Sequence, residues 1–426
     1  MMTRRLLFIS ILFSLPLLAY GPNLVNTSDH EPVKWQAMPV TYHLATNTTI
    51  HGLDVSSYFR NALSAWEGAD GSDILFDGQT LQDSNGNDVV DVTTDDEDDP
   101  TYVCNLLYEP GACPNGPDDD GQNPVVFDAD GSIIGELSGG GNVYTTLGLA
   151  GIVSYNNSSH TALKAIGFFN AACVGDTRDA GCGSLAYTTD DLEGFILHEM
   201  GHFLGFNHTQ VNLDEATDGD GSNNQYIPTM YAFFISGNGA NMKTLNRDDE
   251  IAAANLYPSS SFASGHCQLS GTVYDQDGKE MQCANVIARN TDSAKSKTDA
   301  ISFVSGNLSA IGTFDGDFII KGLEPGETYQ LEVEQNRPLL ASELLGSGIR
   351  PCTSRPTGYP SSESEPFPPT FTKKTFSQTY TCTTGGQLIS SSITLSLDDV
   401  NVNPGSGSST SGLTSSSSSS GCSLIR

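Results

Sequence analysis

The chain has 426 residues, 37% of them hydrophobic, and a formal net charge of −32 at pH 7. This length predicts two folded units plus tails, and the apolar content excludes disorder over the whole chain. The charge argues against nucleic acid or an anionic membrane as a partner, because both bind clusters of Lys and Arg. No apolar run is long enough for a membrane-spanning segment.

Residues 1–21 predict a secretory signal peptide. Arg4 and Arg5 form a charged start, an apolar stretch covers residues 6–18, and small residues precede the expected cleavage point near Gly21. A buried N-terminal helix is the alternative. The interpretation as a signal peptide predicts a protein outside the cell, either secreted or at the cell surface.

Residues 31–258 predict an α+β domain with a mixed sheet and three main helices. Residues 39–44 alternate between apolar and polar side chains, as a half-buried strand does. The first helix is expected from Asp54, which would cap it. Its apolar side chains recur at helical spacing and should face a core: Val55, Phe59, Ala62 and Trp66.

The middle of this region is rich in turn-forming residues. Residues 71–141 contain many Asp, Gly and Asn residues, which indicates long loops with short strands. Further strands are predicted at residues 165–169 and 183–187, where apolar side chains return.

Two more helices complete the predicted domain. One covers residues 191–204, where Asp190 and Glu193 have the spacing of a capping box. The last helix should open at Asn246, with acidic residues in its first turn, and stop before Pro258.

Residues 266–398 predict an all-β sandwich. Asp-Gly pairs at residues 277–278 and 315–316 are typical of hairpin turns. Short strands are expected at residues 269–274, 284–289, 317–320 and 329–333. Beyond residue 401 the chain is rich in Ser and Gly, so residues 401–426 should form a disordered tail.

Nine cysteines in an exported chain predict disulfide bonds. None has the C-x-x-C spacing of a metal site. Eight of them form couples that are close in sequence, and these couples are the expected bonds: Cys104–Cys113, Cys173–Cys182, Cys267–Cys283 and Cys352–Cys382. The ninth, Cys422, lies alone in the Ser-rich tail.

The run HEMGHFLGFNH, residues 198–208, has the composition of a zinc site. On a helix, His198 and His202 project from one face about a turn apart, so both imidazoles can reach one ion. Gly205 allows the chain to leave the helix, and His208 can then supply a third nitrogen. Glu199 lies beside the histidines and can serve as a base without being a ligand.

This run matches the metzincin signature H-E-x-x-H-x-x-G-x-x-H. The resemblance implies a metzincin-type catalytic domain with zinc as its cofactor, His198, His202 and His208 as ligands, and Glu199 as the catalytic base. It also implies a Met-turn under the zinc, for which Met230 is the candidate within the sequence PTMY.

Several features resemble the matrixin branch, in its bacterial form. Tyr231 directly follows Met230, as in matrixins. The segment of residues 183–187 is similar to the strand along which matrix metalloproteinases bind substrate, which makes Ser184, Leu185 and Ala186 the candidate edge-strand residues. The loop from His208 to Met230 is longer than in animal matrixins, and no P-R-C-G switch is present.

Two resemblances concern the rest of the chain. Residues 267–333 resemble the carboxypeptidase regulatory-like domain, a small transthyretin-like sandwich, through turn and core positions such as GTVYD and GLEPG. The Ser-rich tail resembles the spacer before the cysteine in some bacterial sorting tails. The second resemblance implies attachment to the cell surface through Cys422.

Two acidic stretches, residues 83–88 and 127–132, place alternate oxygen ligands around a Gly, as calcium loops do. Asp128 and Asp130 are the candidate ligands of a structural calcium ion. The alternative is an ordinary Asp-Gly turn, since neither stretch has the closing Glu of an EF-hand.

These observations predict a secreted zinc-dependent endopeptidase whose partner is a protein or peptide substrate. Glu199 would remove a proton from water during attack on the peptide bond. One alternative is a surface adhesin with a vestigial protease domain, although an intact Glu199 argues against it. A zinc hydrolase acting on a non-peptide substrate is a third hypothesis.

Overall fold

The computed structural model of the protein describes residues 22–25, 31–82, 86–89, 121–137, 146–175, 182, 187–235, 238–306, 316–335, 371–397 and 423–425. The expected signal peptide at residues 1–21 and the stretch of residues 398–422, with Cys422, lie outside these residues. No helix in the described ranges combines the length and apolarity that a membrane crossing requires.

The described residues combine several sheets with a few helices, which agrees with the expected α+β character. The strands are β1 (Val40–Leu44), β2 (Thr49–Ile50), β3 (Leu53–Asp54), β4 (Phe76–Thr80), β5 (Pro124–Asp128), β6 (Thr146–Asn156), β7 (Thr161–Asn170), β8 (Cys267–Tyr274), β9 (Ala284–Asn290), β10 (Ala300–Val304), β11 (Asp317–Leu323), β12 (Thr328–Gln335), β13 (Lys374–Thr381), β14 (Leu388–Ser396) and β15 (Ser423–Ile425). The helices are α1 (Ser56–Glu67), α2 (Ser132–Leu137), α3 (Thr189–Leu204), α4 (Leu213–Thr217), α5 (Gly239–Met242), α6 (Arg247–Leu256) and α7 (Phe262–Gly265).

Strands β1, β4, β5, β6 and β7 from the first part of the chain, together with β15 from the last described residues, form a six-stranded mixed sheet. Its order is β15-β6-β7-β5-β1-β4. Strand β5 pairs in parallel with both β1 and β7, whereas β6 runs antiparallel to β7. Nothing in the sequence analysis predicted β6, an eleven-residue strand that follows a Gly-rich stretch. This strand proves central to the candidate site.

The first helix packs its apolar face into the core as predicted. Val55, Phe59, Ala62 and Trp66 are all buried. The indole N–H of Trp66 donates to the backbone oxygen of Leu197 at 2.8 Å, which joins α1 to α3. A buried indole needs such an acceptor, so this bond fixes α1 against the helix that carries the histidines.

The second part of the chain contains a four-stranded sheet, β10-β9-β12-β13, and a three-stranded sheet, β11-β8-β14. The four strands predicted here are present, each extended by one to three residues. Burial alternates along β8, and the inward side chains of β8 and β12 belong to one hydrophobic cluster. Strand β10, which follows a polar turn, was not predicted from the sequence.

In the second part of the chain, the fold determines which cysteines are bonded, and proximity in sequence does not predict the pairs. Cys173 is bonded to Cys182 as expected. Cys267, however, is bonded to Cys382 with a Cα–Cα distance of 5.7 Å, so the predictions Cys267–Cys283 and Cys352–Cys382 are wrong. The sheets bring the start of β8 close to the end of β13, although the two cysteines are 115 residues apart. The couple Cys104–Cys113 lies outside the described residues.

Candidate metal centre

The helix that carries the metal-site run begins two residues earlier than predicted. Thr188 and Asp191 form a reciprocal capping box at the start of α3, in place of the predicted pair Asp190 and Glu193. The Thr188 side chain accepts from the Asp191 N–H, and the Asp191 carboxylate accepts from the Thr188 N–H. The cap fixes the first turn of a helix that is buried over most of its length.

Gly205 ends this helix and redirects the chain. Its φ of 99° is left-handed, a conformation that favours glycine. The chain then turns back, so that His208 approaches the face that carries His198 and His202. This is the direction change that the sequence run predicts.

Three imidazole nitrogens converge as a result. The Nε2 atom of His202 lies 3.1 Å from the Nε2 of His198 and 3.1 Å from the Nε2 of His208. One ligand atom from each of the three residues lies within 4.8 Å of the others, so the group could hold a metal ion.

The other nitrogens of two of these rings face backbone carbonyls. The Nδ1 atom of His198 is 2.7 Å from the Thr229 oxygen, and that of His202 is 2.7 Å from the Phe206 oxygen. A carbonyl can only accept, so each Nδ1 carries the proton and each Nε2 presents a lone pair to the centre. Two converging lone pairs repel each other unless a cation lies between them.

Burial keeps both rings neutral. It lowers the pKa of His198 well below the ordinary value, and a proton on the neighbouring His202 would lower that pKa further. Burial likewise lowers the pKa of His202 to about 4. At neutral pH both side chains are therefore in the form that coordinates a metal.

Met230 is fully buried against the histidine helix. Gly201, in the middle of α3, makes this close approach possible. A Cβ atom at Gly201 would lie 2.3 Å from Met230 Sδ and 2.8 Å from Cζ2 of Trp66. Any larger residue at position 201 would push Met230 away from the helix that bears His198 and His202.

Asp249 holds the turn that contains Met230, a role that the sequence analysis missed. Its Oδ1 accepts from the Met230 N–H at 3.1 Å, and its Oδ2 accepts from the Thr229 N–H at 2.9 Å. The Thr229 oxygen in turn accepts from His198. Asp249 therefore supports the orientation of a candidate ligand through one intervening residue.

Asp249 should also make stability depend on pH. Burial raises the pKa of its carboxyl to about 7, whereas the carboxyl of an unfolded Asp has a pKa of about 4. The folded state therefore binds more protons between these values, and the unfolding free energy falls as the pH rises through this window. In Asp249→Asn this dependence should be weaker, as measured by urea unfolding of metal-free protein from pH 5 to 8.

The exposed residue Asp277 provides the matched control, because Asp277→Asn removes a carboxyl that has no buried donors to satisfy. A pH profile for Asp249→Asn that runs parallel to the wild-type profile would contradict this account of Asp249.

Asp248, the neighbouring residue, joins the site to the second part of the chain. Its Oδ2 accepts from the hydroxyl of Thr209, directly after His208, at 2.5 Å. Its Oδ1 accepts from the backbone N–H of Ser302 in β10 at 2.7 Å. The Thr209 N–H also donates to the Met230 oxygen, so the His208 loop, the Met230 turn and the second part of the chain meet here.

Glu199 is fully buried on α3 beside the histidines, and β6 passes directly over it. A Cβ atom at Gly148 in β6 would lie 2.5 Å from Cγ of Glu199. Glycine at this position therefore allows the strand to approach the carboxylate.

The predicted edge-strand residues Ser184, Leu185 and Ala186 lie outside the described residues, and their role stays a prediction. Tyr187, which follows them, forms an isolated parallel bridge with Val174. Among the described strands, β6 is the one that borders the histidine helix near Glu199. Its two faces are both buried along most of its length, so the strand lacks the alternating polarity that sequence analysis looks for.

Asp128 and Asp130, the candidate calcium ligands, accept backbone hydrogen bonds around the start of α2. Asp128 accepts from Gly131 at 3.0 Å and from Ile134 at 2.9 Å, and Asp130 accepts from Ser132 at 2.9 Å. Burial raises the pKa of Asp128 to about 7. These bonds are those of an Asp-Gly turn that caps a helix, and calcium binding stays a prediction.

A second group of potential ligand atoms comprises Asp70, His266 and Glu324. Arg247 already lies among them, with its guanidinium bonded to Asp70 at 3.2 Å and to Glu324. Because the positive charge of Arg247 already occupies the group, we interpret it as an ion-pair network and not as a metal site. The network connects α6 to the second part of the chain.

No protein-family model and no curated protein sequence matches the chain. Among solved structures, the chain has a likeness to the dioxygenase domain of a dioxygenase and carbohydrate-binding protein fusion from Streptomyces sp. SirexAA-E, at 20% identity and a TM-score of 0.13. The match covers 19% of this chain and 53% of that chain, about half of its length. A likeness at this level carries no argument about fold or function.

Proposed function

We propose that the protein is a zinc-dependent endopeptidase of the metzincin type, secreted or held at the cell surface. The observation that carries the proposal is the convergence of three imidazole Nε2 atoms beside a buried glutamate on the same helix. Three nitrogen ligands on neutral rings, with further positions left for water and substrate, are typical of catalytic zinc sites.

The donor set fits zinc. His198, His202 and His208 would hold the ion, and the carbonyls of Thr229 and Phe206 keep two of the rings in the tautomer that coordination needs. When bound, zinc supplies a Lewis acid that acidifies water and polarises a peptide carbonyl.

The remaining chemistry belongs to Glu199. Its position next to His198 on α3 places a carboxylate beside the metal ligands, where it can accept a proton from the attacking water. The same carboxyl then returns the proton to the amine nitrogen that leaves when the C–N bond breaks. Its burial under Gly148 restricts its rotamers, so the carboxylate is oriented before substrate arrives.

Two family assignments accompany the proposal. The sheet in which β6 runs antiparallel to β7, the histidine helix and buried Met230 support a matrixin-like catalytic domain. The two sheets that follow, joined by the bond between Cys267 and Cys382, support a transthyretin-like sandwich as an accessory domain.

Removal and return of metal tests the proposed function. Wild-type protein should cleave casein or a mixed peptide library, lose this activity in 1,10-phenanthroline, and regain it with one equivalent of zinc. The three ligands of the site are imidazole nitrogens, which bind zinc well and calcium poorly. Calcium should therefore not restore activity.

Zinc-loaded protein that cleaves nothing in a broad library would instead favour the binding-protein alternative. Cleavage that survives complete metal removal would exclude the proposed chemistry.

A further inference from the structure

Strand β6 would form the outer edge of the large sheet if β15 were not paired with it. An outer strand presents backbone N–H and C=O groups that an extended peptide can pair with. Because Gly148 brings this strand to within van der Waals contact of Glu199, a peptide paired there would lie close to the catalytic group. An extended substrate would therefore pair with the edge of β6 and be cleaved there. We call this edge of β6 the substrate track.

The chain itself fills this track. Strand β15, here called the tail strand (Ser423–Ile425), pairs with β6 in the antiparallel direction. Ser423 lies opposite Leu149, and Ile425 lies opposite Thr146. These two pairs lie on either side of Gly148, so the tail strand covers the part of β6 that approaches Glu199.

We propose that the tail strand is a tethered occupant of the substrate track, through which the chain restrains its own peptidase site. This inference rests on the proposed function. The tail strand would restrain the activity of a chain whose sequence has no P-R-C-G switch. The partner that displaces the tail strand is an extended peptide segment, which competes for the same backbone groups of β6.

Pairing over three residues makes the restraint weak and reversible. Such a short strand forms few hydrogen bonds, each with a modest net contribution. The connecting residues 398–422 could span roughly 80 Å when fully extended, which places few limits on where the strand can dock. Covalent connection within one chain supplies an effective concentration of about 1 mM, so a dissociation constant of ~0.1–1 mM would keep the track occupied for at least half of the time.

The test uses prolines, because proline removes a backbone donor and disrupts strand pairing. The double variant Leu424→Pro with Ile425→Pro should release the tail strand. Its matched control, Ser416→Pro with Ser417→Pro, places two prolines in the Ser-rich stretch and leaves residues 423–425 unchanged. All proteins keep the full chain.

Two measurements are made on each protein. Amide hydrogen exchange of residues 146–150, which needs no peptidase activity, should become severalfold faster in the Leu424 and Ile425 variant alone. Peptide cleavage by the same variant should rise about two- to tenfold, as expected from the loss of an occupant bound at the stated effective concentration. A synthetic peptide of residues 417–426 should inhibit this variant competitively at millimolar concentration.

Equal exchange in all three proteins would show that the tail strand does not dock and would overturn the inference. Faster exchange without any gain in cleavage would also overturn it, since the strand would then not obstruct the site. If none of the three proteins cleaves peptides at any metal loading, the proposed function fails, and the exchange result still decides whether the tail strand occupies β6.

Discussion

The Glu199→Gln variant should retain zinc, and its kcat/KM for peptide cleavage should fall by about 10²–10⁴-fold or more. The amide keeps the size of the side chain and can still form hydrogen bonds, but it cannot accept a proton. The three histidines are unchanged, and the carbonyls that face His198 and His202 belong to Thr229 and Phe206, so the metal content should stay at one equivalent. Metal analysis and kcat/KM on a peptide substrate provide the two measurements.

Glu193→Gln is the matched control for this substitution. Glu193 lies on the same helix but accepts a bond from Asn61 at 3.1 Å near the surface, away from the histidines. It should cleave at nearly the wild-type rate. Near-normal proteolysis by zinc-loaded Glu199→Gln would show that another group handles the proton.

His202→Ala should lose the metal along with the activity. His202 is the central candidate ligand, because its Nε2 lies 3.1 Å from the Nε2 atoms of both other histidines. Loss of an outer-shell partner alone weakens metal binding about 10–100-fold, so loss of this ligand should weaken it by more than ~100-fold. Zinc affinity measured against a competing chelator tests this directly.

His160→Asn is a suitable control, since His160 lies outside the metal group and has a left-handed φ of 55° that Asn tolerates. It should bind zinc normally. A His202→Ala protein that keeps stoichiometric zinc at wild-type affinity would show that the metal lies somewhere other than among the three histidines.

The sequence predicted the elements whose signals are local. The spacing of His198, His202 and His208, the helix break at Gly205 and the buried face of α1 all follow from the periodicity of one segment. The helix start was predicted two residues late, because several acidic and hydroxyl residues near Thr188 could have served as the cap.

What the sequence could not predict depends on contacts between distant segments. Asp249 accepts a hydrogen bond from Met230, which lies nineteen residues away in sequence. No pattern in either segment predicts this contact. Strand β6 was missed because both of its faces are buried, which removes the alternation by which strands are recognised. The bond between Cys267 and Cys382 was missed for the same reason of distance.

Asp248 has a consequence for how the whole protein unfolds. Its carboxylate accepts from Thr209, next to a candidate ligand, and from Ser302 in the second part of the chain, and burial raises its pKa to about 6. Separation of the two parts would remove the backbone N–H and the hydroxyl of Ser302 from this carboxylate and leave it the hydroxyl of Thr209, which is costly for a buried group. Thermal unfolding should therefore proceed as one cooperative transition. Replacement of the second part of the chain by a foreign domain would loosen the loop that contains His208.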